Sequence, residues 1–76
     1  MNNLTEGACT VLLDSFRMMF TGHDHVIIEY ARNKVVSMLQ VLYVQDVIDG
    51  EAFSRAHDAA CDCAYRNKAR INQETQ

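Results

Sequence analysis

A stretch of 76 residues makes one domain at most, and so small a core leaves marginal stability unless disulfides, a structural metal or a second copy add to it. Its three cysteines are an odd count, and Cys61 and Cys63 stand one residue apart, where a mutual bridge would be strained, so a disulfide framework is not expected. Ten acidic against seven basic side chains give a net charge of −3, which weighs against generic nucleic-acid binding because phosphate contacts need clustered Lys and Arg.

The apolar runs are far too short for a membrane span, and no basic start leads into a signal-like apolar segment, so the expected setting is a reducing cytoplasm. Proline is absent and the three glycines act as punctuation. Strict two-residue alternation is missing as well, and both features favour long helices over a turn-rich β fold.

The first helix is expected from about Thr5 to Phe20, capped by Asn3 or Thr5 and stopped by Gly22 in the left-handed conformation. Its apolar side carries Ala8, Cys9, Leu12, Leu13, Phe16, Met19 and Phe20, with Glu6, Thr10, Asp14 and Arg17 opposite. A short connection follows. Asp24 then caps a second helix, His25 to Val44, whose core stripe is Ile27, Ile28, Ala31, Val35, Met38, Leu39 and Leu42. Val47 and Ile48 plug the end of the bundle within the next connection. Asp49 caps a third helix, about Gly50 to Ile71, with Glu51 near its positive end. Phe53, Ala56, Ala60, Cys63, Ala64 and Ile71 form its buried stripe of mostly small residues, and Asn72 to Gln76 make a frayed polar tail. The expected fold is all-α, a single helical domain over residues 1–76, arranged as a three-helix, mostly antiparallel bundle that forms a homodimer.

Four sets of residues invite a functional reading. His23 and His25 flank Asp24, while His57 and Cys61 lie four apart on one side of the third helix, supplying zinc-ligand types without a zinc motif. The everyday alternative is a capped turn with solvated histidines. Cys61 with His57 one turn earlier also suggests a reactive thiol, although neither an oxyanion site nor a substrate cleft accompanies the pair. Cys63 reads as a buried apolar residue. Asp46-Val-Ile-Asp-Gly-Glu fails as a calcium loop, because Ala56 falls where the bidentate Glu belongs. No phosphate-binding glycine loop or nucleophile elbow occurs, so neither enzymatic activity nor a cofactor is expected.

Arg55, Arg66, Lys68 and Arg70 on the third helix are the residues a DNA-binding regulator would use, yet Glu51, Asp58 and Asp62 share its exposed side. The second helix carries more apolar surface than two neighbours can cover. Val26, Tyr30, Val36, Tyr43 and Val44 flank or interrupt its polar arc of Glu29, Asn33, Ser37 and Gln40, and such a surplus marks a partner or dimer interface. The leading expectation is therefore a non-enzymatic protein-interaction module, such as an adaptor, a regulator or a phage-type inhibitor of a host nucleic-acid-processing complex. A small dimeric DNA-binding regulator and a thiol or zinc protein built on His57 and Cys61 are the alternatives.

Overall fold

The computed structural model describes residues 6–74. These form three helices, α1 (Glu6–Thr21), α2 (His25–Val44) and α3 (Gly50–Glu74), with no strand among the described residues. The proposed caps Asn3 and Thr5 lie outside that range. None of the three helices is long and apolar enough to cross a membrane.

The starts of α2 and α3 follow from their aspartates. Asp24 has an extended backbone, and its carboxylate accepts a hydrogen bond from the Ile27 N–H at 2.8 Å. Asp49 does the same for the Ala52 N–H, also at 2.8 Å. Each side chain satisfies a helix-end donor that would otherwise lack a partner, and each carries negative charge to the positive end of the dipole.

The ends are less conventional. Gly22 was expected in the left-handed conformation, but no described glycine has a positive φ. Arg70 instead reaches across from α3 and donates to the carbonyls of Phe20 and Gly22, both at 3.1 Å, so these terminal acceptors are satisfied without a left-handed cap. The glycine is needed for space: a Cβ there would lie 2.8 Å from the Met18 carbonyl oxygen and 3.0 Å from the Ile28 side chain.

The left-handed residue closes α2 and is Asp46, with φ 59°. Its N–H donates to the Tyr43 carbonyl at 3.1 Å, and the Val47 N–H donates to the Leu42 carbonyl at 2.9 Å. That pair of bonds is the Schellman pattern, which ordinarily employs glycine. At the far end of α3, Asn72 to Glu74 continue the helix where fraying was expected, and Arg70 lies one turn before Glu74 at 3.9 Å. Thr75 and Gln76 lie outside the described residues.

The core is centred on α2, where Ile28, Ala31, Val35, Leu39 and Leu42 are buried. Ile27 and Met38, expected in the same stripe, sit at its edges, Ile27 exposed and Met38 half-buried. On α3, Ala60, Cys63, Ala64 and Ile71 are buried as expected, with Phe53, Ala56 and Ile48 packed against them. One polar residue joins them. Asn67 donates to the Cys63 carbonyl at 2.7 Å, so its buried amide is not left unpaired.

Helix α1 departs most from expectation. Its buried arc runs through Ala8, Ser15 and Met19, with Leu12 alongside, whereas Leu13 and Phe20 are 66% and 59% exposed. The inward direction is thus turned by about 60° from the one its apolar residues suggested. Small Ser15 is buried in this arc, while the flank that carries Leu13 and Phe20 stays outside.

The molecule is long and thin, with extents of 50 × 22 × 13 Å. Its radius of gyration, 13.3 Å, exceeds the roughly 11 Å expected of a compact chain this size.

Candidate interaction surface

With the inward face of α2 occupied by the core, the opposite face is defined by the 3.6-residue period. Val26, Tyr30, Val41 and Val44 stand there, with Asn33, Ser37 and Gln40 between them. Val26 and Val44, near the two ends of the helix, are 78% and 79% exposed, and Tyr30 is 54% exposed. Lys34 lies over the Tyr30 ring, 5.5 Å from its centroid, a cation–π contact that orients the phenol outward along the helix. Toward the C-terminal half, Ser37, Gln40, Val41, Val44 and Gln45 line a shallow depression of about 390 Å³.

The five residues assigned to an interface from sequence are therefore divided. Val26, Tyr30 and Val44 share the outward face. Val36 and Tyr43 lie on the side of α2 that meets α3: Val36 is half-buried, and the Tyr43 ring packs 5.4 Å from that of Phe53 while remaining 49% exposed. Val41, absent from the sequence assignment, completes the outward set. Its position four residues after Ser37 and three before Val44 was the available signal.

An ion cluster marks the boundary between the two sides. Glu29 accepts from Arg32 at 2.9 Å and from Lys68 of α3. The Lys68 ammonium, followed by the Arg32 guanidinium, holds the Glu29 carboxyl below its ordinary range. The same contact, led by Glu29, raises Arg32, whose guanidinium also meets the Cys61 thiol.

The other basic candidates are similarly engaged. Arg55 pairs with Glu51 at 2.6 Å and Arg66 with Asp62 at 3.1 Å, both along α3. Arg70 is drawn to the α1 carbonyls described above. Of the four residues proposed for nucleic-acid contact, Lys68 and Arg70 thus join helices together, while Arg55 and Arg66 remain on the exposed rim of α3, each facing a carboxylate.

The metal-ligand candidates do not converge. His23 and His25 are exposed at the turn before α2, near the carbonyls that Arg70 reaches. His57 precedes Arg70 on α3 by about 20 Å along the axis. Its Nδ1 lies 3.9 Å from the Cys61 sulfur, and its ring stacks on Phe53 with centroids 6.0 Å apart. No group of three His, Cys, Asp or Glu side chains among the described residues is placed to hold an ion. Cys63 is buried, and that burial pushes its thiol up, away from thiolate chemistry. No family model, curated protein or solved structure matches the chain.

Proposed function

We propose that this chain is a non-enzymatic protein-interaction module, an adaptor or regulator that engages a protein partner through the outward face of α2. The observation that carries the reading is the pairing of Val26, Tyr30, Val41 and Val44 on one side of a helix whose other side is already filled by the core. Apolar and aromatic residues with polar ones between them suit an interface that forms and separates. The Glu29–Lys68 and Tyr43–Phe53 contacts support an antiparallel arrangement of α2 and α3, which holds this face clear of both neighbours.

The partner class follows from charge. A net −3, and the pairing of Arg55, Arg66, Lys68 and Arg70 with acceptors of their own chain, favour a protein partner over DNA. An inhibitor of a host nucleic-acid-processing complex, of the phage type, is one form such a module would take, its apolar outward face meeting a protein surface while the net negative charge of the chain favours a basic target. Three free thiols suit a reducing cytoplasm.

The test compares affinity capture from the native host by the natural chain and by a Val26→Glu/Val44→Glu variant of equal helicity. A protein recovered with the first and lost with the second is the expected result. Equal capture by both, or capture by neither, would overturn the assignment.

A further inference from the structure

We propose that the groove between α1 and α3 seats α1 of a second copy of this chain, so that the outward face of α2 stays free in both copies. The proposal deepens the interaction-module reading and rests on it only for the premise that exposed apolar surface here marks association.

The groove has a volume of about 470 Å³ and is lined by Phe16, Phe20, Ala59 and Cys63, with Asn67 at its floor and Asp62 and Arg66 on its rim. Leu13 and Phe20, the two large residues that α1 turns away from the core, stand beside or within it. Small Ala59 and Cys63 on the α3 wall leave room for a neighbouring helix to approach. The place is the one a fourth helix takes in a four-helix bundle.

Three observations point to a second copy as the occupant. The first is area. The molecule exposes 5285 Å², where a compact chain of 8.6 kDa exposes about 4,700 Å². The excess is about 600 Å² per copy, so a two-fold contact that removed it would bury about 1,200 Å², the lower bound of stable specific interfaces.

The second is self-complementarity. Cys9, Leu13, Phe16 and Phe20 recur at intervals of four, three and four along α1, a spacing that reads the same in both directions. A two-fold axis near Asp14 and Ser15 then sets Leu13 against Phe16 of the second copy and Cys9 against Phe20 of the second copy. The ridge that lines one groove fills the other, as an isologous contact requires.

The third is the absence of an uncompensated charge. Asp62 and Arg66 on the rim pair with each other at 3.1 Å, and Asp14 lies 3.9 Å from Arg17 on α1, so two copies can meet here without setting like charges against one another. The outward face of α2 is less suited to a permanent contact. Asn33, Ser37 and Gln40 interrupt it, whereas lasting homodimer interfaces resemble an apolar core.

Sedimentation equilibrium of the full chain tests the proposal. The natural chain should sediment as a dimer, and Phe20→Glu should weaken association by about 100-fold or more while helicity is retained. Val44→Glu should leave the dimer intact. A natural chain that stays monomeric up to about 100 μM, a dimeric Phe20→Glu chain, or a monomeric Val44→Glu chain would each overturn the proposal. Should Phe20→Glu fail to fold, Phe20→Cys supplies the decision. Oxidation with diamide should link it to Cys9 of the second copy, and an added Cys9→Ser change should abolish the covalent dimer. A covalent dimer that survives Cys9→Ser, or none forming at all, would contradict the pairing. Loss of partner capture in Val26→Glu/Val44→Glu with the dimer intact separates this proposal from the one on α2.

Discussion

The two faces of α2 both carry large apolar side chains and have opposite fates. Inward, Ile28, Ala31 and Val35 are wholly buried, whereas outward Val26 and Val44 stand almost as exposed as in an extended chain. The difference lies in what surrounds each face. The inward residues follow one another without a polar interruption and are met from both sides by α1 and α3, while Asn33, Ser37 and Gln40 separate the outward ones. Hydrophobicity alone does not assign a residue to a core; continuity along the helix face and the direction of the neighbours do.

Substitutions on the two faces should separate most widely. Leu39→Ala removes a buried side chain and should cost about 2–5 kcal/mol, a large share of the total stability of so small a chain. Val44→Ser, outward and 79% exposed, should change stability by less than about 0.5 kcal/mol. Urea unfolding of the two variants checks the contrast, and equal losses would break it.

Gly22→Ala attacks the inward face from its end. The added methyl meets the Met18 carbonyl and the Ile28 side chain, so a loss of about 1–3 kcal/mol is expected in a thermal melt. A neutral outcome would mean that the turn between α1 and α2 yields more readily than its packing implies.

The boundary between the faces should show itself in pH. Because Lys68 and Arg32 lower the folded carboxyl of Glu29 from its usual 4.5, the cluster contributes stability that is fully present above that value. It is lost as pH falls through the lowered folded value. The natural chain should therefore exceed Glu29→Gln in stability at neutral pH, and the gap should close in acid below about pH 4.5. More than a third of the Glu29 side chain meets solvent, so the gap should be modest and should shrink with added salt. A gap independent of pH would show that packing rather than charge holds the cluster.

A modest gain belongs to a residue on neither face. Asp46→Gly relieves a left-handed backbone that disfavours a side chain and should stabilise the chain by up to about 1 kcal/mol, read as a higher melting temperature.

Much of the fold was legible in the residues. Asp24 and Asp49 announced helix starts through capping chemistry, and the inward stripe of α2 followed from its period. On α1 the apolar residues span so wide an arc that periodicity left the inward direction open, and small Ser15, buried there, gave no hydrophobic signal. Asn67 occupies a stripe position between Cys63 and Ile71, but its amide can enter the core only because the Cys63 carbonyl receives it, which a one-dimensional pattern does not record.

The apolar residues outside the core stripe of α2 show the same limit. Which of them α3 approaches depends on long-range contacts such as Lys68–Glu29, so the sequence did not separate Val36 and Tyr43, on the α3 side, from Val26, Tyr30 and Val44 on the outward face. Asp46 was hidden for a different reason. A left-handed helix end is ordinarily signalled by glycine, and here an aspartate occupies it.

The most direct measurement follows one variant in two ways. Val26→Glu/Val44→Glu should keep the unfolding midpoint of the natural chain within a few degrees while losing capture of the proposed protein partner. A sharply lower midpoint, or capture undiminished, would contradict the division of α2 into a face that holds the fold and a face proposed to meet a partner.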